Sequence, residues 1–196
     1  MTPVSNAPIG PPTVLVLASG QGARYRAGGG QTHKLQALLA GRPVLERTLE
    51  SVRRAGLPLH LEHSSLHAGM GDSLAAAVRA TPAAHGWLIL PADMPLALPR
   101  TLLAVASALQ SDGAAAAQPV VDGRRGHPVG FASRHFERLA TLTGDQGARS
   151  LLSALRAAGA VMDITTDDAG ALLDIDTPQD LAQAEALWRA RLGSGA

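Results

Sequence analysis

The chain alternates between two apolar patterns. Continuous apolar runs stand at 13–18 (TVLVLA) and 87–91 (WLILP). A short run of that kind predicts a strand buried on both faces. Elsewhere apolar residues recur at helical spacing. Val44, Leu45, Leu49 and Val52 predict a helix over 43–55, ended by Gly56 and Pro58. SLAAAVRA at 73–80 predicts a second helix that stops before Pro82. Pro99, tolerated at a first helical position, opens a third that runs to about Gln110. Shorter strands are expected at 59–61, 114–121, 128–132, 161–164 and 172–175, with the polar turn DGRRG between the second and third. A helix is expected over 146–157. Thr177-Pro-Gln-Asp180 reads as a capping box with proline in the first turn, starting a last helix to about Arg191.

Strands alternating with helices imply a layered α/β domain with a mainly parallel sheet. Ligands of such sheets sit outside the carboxyl ends of the strands. The chemically loaded residues do follow strands: SGQG after the first, Asp93 after WLILP, and Asp174 and Asp176 around LLDID. Residues 1–12, rich in proline, read as a flexible lead-in, 13–192 as one domain, and the tail from Gly193 as frayed.

Composition narrows the function. A formal net charge of +1 offers no general attraction for nucleic acid or acidic membranes, and an aromatic content of 3% does not furnish base-stacking platforms. The absence of cysteine excludes disulfides, thiolate zinc sites and cysteine nucleophiles, and it fits a reducing compartment. The first charged residue is Arg24, so the basic start of a secretory leader is missing, and no apolar run reaches membrane-spanning length. A cytoplasmic protein is expected.

The densest chemistry lies at 17–34, LASGQGARYRAGGGQTHK, where five glycines, two arginines and a lysine follow the first strand. The stretch suits an anion, but not through the common phosphate loops. A Walker A loop needs Gly-Lys-Ser/Thr, whereas Lys34 lies between His33 and Leu35. A dinucleotide fingerprint needs a third glycine where Tyr25 stands, followed by a helix where this chain is glycine-rich. His60, His63 and His67 share no face and read as surface residues rather than a zinc site.

LASGQGAR followed by Lys34-Leu35 resembles the signature loop of the molybdenum cofactor nucleotidyltransferases, the MobA-like NTP transferases. Three further stretches resemble the same family in the same order: GMGDSL at 69–74, LPADMP at 90–95 and DIDTPQDL at 174–181. GHPVGF at 126–131 and GDQGARSLL at 144–152 look like its cytidylyl branch. The spacing between Arg24 and Lys34 is longer than the family usually shows, and Ser19 replaces its usual alanine.

The resemblance implies a Rossmann-like three-layer α/β/α fold of the glycosyltransferase-A type. It implies transfer of a nucleoside monophosphate, CMP first and GMP second, from a triphosphate to a molybdopterin-type acceptor. A sugar phosphate or other small phosphate is a third acceptor, and a noncatalytic cofactor carrier is the rival from another class. Arg24, Lys34 and Asp93 are the expected catalytic residues, with Asp93 and Asp176 holding Mg2+. The expected nucleotide contacts are Ala18, Ser19, Gly20, Gln21, Gly22, Gly71, Asp72 and Ser73, with Ser73 as the base contact. His127 and Arg149 are expected on the acceptor side. The expected partner is a molybdenum hydroxylase or its chaperone. From its position alone, Asp93 is expected to be exposed, because Met94-Pro95 turn the chain away; Asp72 and Ser73 also read as plain helix-cap residues, and Arg149 as a helix surface residue.

Overall fold

A computed structural model describes residues 10–20, 22–63, 69–110 and 114–193. Nine strands and seven α-helices are found among them: β1 (Thr13–Leu17), α1 (Ala23–Ala27), β2 (Leu38–Leu39), β3 (Arg42–Pro43), α2 (Val44–Ala55), β4 (Leu59–Glu62), α3 (Met70–Ala80), β5 (Gly86–Pro91), α4 (Pro99–Gln110), β6 (Ala116–Val121), β7 (Arg124–Arg125), β8 (Val129–Ala132), α5 (Phe136–Ala140), α6 (Arg149–Ala157), β9 (Val161–Thr165) and α7 (Pro178–Gly193).

The main sheet runs β4-β1-β5-β8-β6, with β9 on the outer edge of β6 and β7 continuing the β8 side. β1 pairs in parallel with β4 and β5, and β6 with β9, while β8 and β7 are antiparallel. This is the expected mostly parallel α/β sheet. The apolar runs are continuous because both faces are covered. Val14, Val16, Leu88 and Leu90 pack with α2 and α4, whereas Leu15, Leu17, Trp87 and Ile89 pack with α3, α5 and α6. Alternate residues of each strand thus enter opposite layers. No helix among the described residues is long and apolar enough to cross a membrane.

Four local readings change. Ala23–Ala27 is a short helix, not a loop. The glycines after it are not a loose linker: the N–H groups of Gly28, Gly29 and Gly30 donate to the carbonyls of Arg24, Arg26 and Tyr25, closing the chain over the buried Tyr25 ring. α3 begins earlier than expected, at Met70, and α6 later, at Arg149, because the 144–147 segment turns with Gly144 at φ 70° and Gly147 at φ 53°. Residues 172–175 form no strand. A 3-10 turn at Ala169–Leu172 leads into an extended segment, and Ile175 N–H donates to Asp93 O at 2.9 Å.

The cause of that turn is Asp168. Fully buried, its carboxylate accepts from Leu98 N–H, Thr101 Oγ1, Gly170 N–H and the Arg191 guanidinium. These bonds tie the start of α4 and the end of α7 to the strap carrying Asp174 and Asp176. The apolar positions that suggested a strand are Leu172, Leu173 and Ile175, of which Ile175 is fully buried. Residues 1–9, Gln21 and His67 lie outside the described residues.

Candidate active site

At the carboxyl ends of β1 and β5 the sheet opens into a cleft of about 650 Å³. Its charged end is built by three separate segments. β5 delivers Asp93 two residues past its end, the strap before α7 delivers Asp176, and the 3-10 turn Lys34–Gln36 delivers Lys34. Lys34 Nζ donates to Asp93 Oδ2 at 2.5 Å and to Asp176 Oδ1 at 2.6 Å. Arg24, from α1, reaches Asp176 Oδ2 at 2.8 Å while its side chain stays 81% exposed. The capping box behind Asp176 forms as expected: Asp180 N–H donates to Thr177 Oγ1, and Thr177 N–H donates to Asp180 Oδ2. It leaves the Asp176 carboxylate free for Lys34 and Arg24.

Asp93 is not exposed at a sheet edge. β5 is central, and the Asp93 side chain is only 14% exposed. Burial pushes its pKa above the usual carboxylate range; Lys34 pulls it down but less strongly, and Asp174 adds to the rise. Asp176 shifts the other way, lowered first by the Lys34 hydrogen bond and further by Arg24. Burial lowers Lys34, but Asp93 and Asp176 together outweigh it, so the ammonium is held more firmly charged. The Asp93 Oδ1 atom is buried with no hydrogen-bond partner. A buried unpartnered carboxylate oxygen costs free energy, about 1–3 kcal/mol for an ordinary polar group and more when charged. It is therefore an acceptor waiting for a donor or a cation.

The glycine loop forms the adjoining wall. Ala18, Ser19 and Gly20 line the cleft. Gly22 sits at φ 63°, a conformation that favours glycine, and His33 Nε2 lies 3.2 Å from where a Cβ would stand, so a side chain there would also crowd the imidazole. His33 braces this loop. Its Nδ1 accepts from Leu35 N–H, which leaves Nε2 as the donor to Gly20 O at 3.0 Å. The far half of the cleft is more apolar, with Met70, Leu74, Ile89, Val129, Phe131 and Leu152 in its walls.

The profile of the "MobA-like NTP transferase domain" matches residues 52–160, more than half the chain. The chain belongs to that family. The Bacillus subtilis relative named "Purine catabolism protein PucB" is 36% identical over 152 residues, covering 70% of this chain and 71% of its own. In fold, the chain is similar to a nucleotidyl transferase from Methanothermobacter, with a TM-score of 0.75 at 19% identity, covering 91% of this chain and 98% of that one. It is also similar to Rv0371c of Mycobacterium tuberculosis in complex with manganese, with a TM-score of 0.70 at 22% identity, covering 90% and 99%.

Set in this MobA-like nucleotidyltransferase fold, the expected site residues divide into those the cleft gathers and those it does not. Arg24, Lys34, Asp93, Asp176, Ala18, Ser19, Gly20, His127 and Arg149 all line it. Gly22, Gly71, Asp72 and Ser73 do not. Ser73, expected at the base, is fully buried, and Ser19 Oγ donates to its Oγ at 2.8 Å. Asp72 turns away to accept from Gly144 N–H at 3.0 Å. His127 is half-buried; burial lowers its pKa, and Asp174 opposes that only in part. Its backbone N–H donates to Ala171 O, so the strap bearing Asp176 also fixes the His127 wall of the cleft.

His33 and Gln118 are loop and cleft residues to which the sequence reading gave no role, and Asp174, singled out in it only as a strand-end carboxylate, lines the cleft as well. Gln118 is buried on β6, held by its own bond to Gly126 O and by Arg156 on its Oε1. Its only sequence signal is a polar residue inside an apolar strand. His60 pairs with Glu62 at 3.5 Å and lies outside the cleft, and no group of three or more metal-ligating side chains occurs among the described residues. The carboxylates of Asp93 and Asp176 nevertheless fit a divalent cation. They share the Lys34 ammonium, with the exposed Arg24 on Asp176 as well, and Asp93 keeps an unpartnered oxygen.

Proposed function

We propose that this chain transfers CMP from CTP to the phosphate of a molybdopterin-type molybdenum cofactor and releases pyrophosphate. An acceptor phosphate oxygen attacks the α-phosphorus of the triphosphate. A new phosphorus–oxygen bond forms as the bond to the β-phosphate bridge breaks, and pyrophosphate departs with the electron pair. The acceptor oxygen is already anionic, so the step needs no general base and no covalent nucleophile on the protein. It needs positioning of two polyanions and neutralisation of charge.

The observation that carries this reading is the convergence of Asp93, Asp176, Lys34 and Arg24 beside the Ala18-Ser19-Gly20 loop. In the proposed complex, backbone N–H groups of that loop meet phosphate oxygens. Arg24, flexible and solvent-facing, takes the departing pyrophosphate, and Lys34 takes the side nearer the α-phosphate. Asp93 and Asp176 hold Mg2+. When bound, the metal would offset the negative charge of the transferring phosphate. Manganese in the mycobacterial relative's structure supports a divalent cation in this fold.

Gln118, His127 and Arg149 form the acceptor side, with Arg149 meeting the acceptor's phosphate. The cytidylyl choice rests on GHPVGF and GDQGAR, whose His127, Val129 and Phe131, and Gln146, Gly147, Ala148 and Arg149, line this half of the cleft. The reading takes a molybdenum hydroxylase or its chaperone as recipient of the product, in the cytoplasm; the Bacillus relative's name places that protein in purine catabolism.

The test is pyrophosphate release with Mg2+ across CTP, GTP, UTP and ATP, with and without molybdenum cofactor. Cofactor-dependent release from CTP is expected. Release from GTP alone would make the chain a guanylyltransferase, and release only with another phosphate would replace the acceptor. Cofactor binding without any release would make it a carrier.

A further inference from the structure

Two loops beside the cleft are stitched together. The first is the start of α3, residues 69–73. The second is the turn 143–149 leading into α6. Gly71 N–H donates to Gly144 O at 2.6 Å, and Gly144 N–H donates back to the Asp72 carboxylate at 3.0 Å. The backbones touch so closely that a Cβ on Gly71 would stand 2.6 Å from Thr143 O, and one on Gly69 2.5 Å from the Gly144 carbonyl carbon. Met70 lies against Gly147, where a Cβ would stand 3.1 Å from Met70 Cγ.

The second loop supplies Gln146, Gly147, Ala148 and Arg149 to the cleft wall, and the Arg149 side chain is exposed there with no ion pair or side-chain hydrogen bond among the described residues. On its other flank α3 is tied to the glycine loop by the Ser19–Ser73 hydrogen bond.

We infer that Asp72 is a positioning residue for the acceptor side of the site, acting through Gly144 on Arg149, and not a nucleotide contact. An acidic residue in the first turn of a helix ordinarily serves the helix itself, through its free N–H groups and dipole. Asp72 instead accepts an N–H from a segment 72 residues away in sequence. Without that carboxylate, Gly144 N–H has only water as a partner. The turn, whose two glycines sit at positive φ, then keeps the Gly71 bond as its remaining hydrogen bond to α3. Arg149 follows five residues later at the start of α6, so freedom at Gly144 becomes displacement of the guanidinium. Ser19, Ser73, Asp72 and Gly144 thereby join the nucleotide wall to the acceptor wall as one packed unit.

This inference rests on the proposed nucleotidyl transfer for its acceptor half and on geometry alone for its positioning half, and two measurements separate them. The first is hydrogen exchange of the full chain without ligands. Gly144 N–H is expected to be protected in the wild type and to exchange markedly faster in Asp72→Ala; equal protection in the two overturns the positioning. The second is steady-state kinetics with CTP and molybdenum cofactor. Asp72→Ala is expected to raise KM for the cofactor about tenfold, with KM for CTP within about twofold, as loss of one hydrogen bond to a charged group implies. Asp72→Asn keeps an oxygen that accepts from Gly144 N–H and is expected to restore both the exchange protection and the cofactor KM. A rise in KM for CTP instead, or no rescue by asparagine, overturns the inference in favour of a direct charge contact with nucleotide. No turnover by the wild type overturns the functional reading, and the acceptor role with it, while the exchange result still decides whether the loops are joined.

Discussion

The Lys34 ammonium lies 2.5 Å from Asp93 Oδ2, and the other oxygen of the same carboxylate is buried without a partner. A single cation therefore half-satisfies a carboxylate that the fold has taken out of water. Asp176 shares that same ammonium from the opposite side. Under the proposed function, Lys34 occupies the place between two acids that a metal would take, and several measurements follow from that.

Replacing Asp93 by Asn keeps its shape and removes its charge. Turnover is expected to fall by about a hundredfold or more, the scale on which a single group stabilising transition-state charge acts. The fold should survive, because the apolar neighbours of β5 are untouched. A thermal scan with and without Mn2+ checks the cause. The wild type should gain Tm with the cation, and the variant should not. Full activity in Asp93→Asn would falsify the metal assignment.

In the proposed site, Lys34 competes with a divalent cation for Asp93 and Asp176. Lys34→Met removes the competitor and is expected to tighten Mn2+ binding by about tenfold, an effect of ordinary size for a charge at contact distance near a protein surface. The same change should lower turnover, since the triphosphate loses its ammonium. Titration of Mn2+ followed by its electron spin resonance signal measures the first effect. Weaker Mn2+ binding in the variant would mean that Lys34 supports the metal site instead of standing in for it.

His127 and His135 are both held below their ordinary value of 6.5, each mainly by burial; Arg134 and Arg138 add to the effect at His135. The folded state therefore favours the neutral rings. Their contribution to stability is full above pH 6.5, the unfolded value, and is lost as pH falls through the depressed folded values. Asp93, raised by burial, works in the opposite sense. Comparing His127→Gln with the wild type leaves Asp93 in place and isolates the ring. Urea midpoints between about pH 7 and pH 5 should decline more steeply in the wild type than in the variant. Parallel slopes would show that His127 titrates normally.

Arg191 is one of the groups donating to the fully buried Asp168. Arg191→Met leaves that carboxylate with Leu98 N–H, Thr101 Oγ1 and Gly170 N–H. Stability is expected to fall by about 3 kcal/mol, the range for breaking a buried pair. Because the strap also carries Asp176, Mn2+ binding should weaken along with it. A drop in Tm with unchanged Mn2+ affinity would separate the strap's stability from the site's geometry.

Much of this molecule is legible in the order of its residues. TVLVL and WLILP could only be strands covered on both faces, because their apolar positions have no polar partners to turn toward water. Pro99 and the Thr177–Asp180 box mark helix starts through local chemistry alone, and α4 and α7 begin where those residues place them. Asp93 and Asp176 stood out because carboxylates just beyond strand-like runs fall at the open end of a parallel sheet. The unforeseen helix Ala23–Ala27 arises because Gly22 supplies its left-handed start and Tyr25 finds a buried seat, and the glycines that hid it in the sequence are its cap.

Tertiary structure alone decided which of the singled-out residues meet. Lys34 and Asp176 are 142 residues apart and share a hydrogen bond because the sheet order brings β1 beside β5 and the Asp168 strap returns the chain across the strand ends. Burial, not residue type, sends the two acids in opposite directions: Asp93 is raised by desolvation, and Asp176 is lowered by its cations. Packing sets Ser73 against Ser19 and lets Asp72 reach Gly144, partners 54 and 72 residues away that no local pattern announces. A sequence fixes which groups a segment can offer. Only the packed chain fixes which partner reaches each group first, because hydrogen bonds and desolvation act over a few ångströms and ignore separation along the chain.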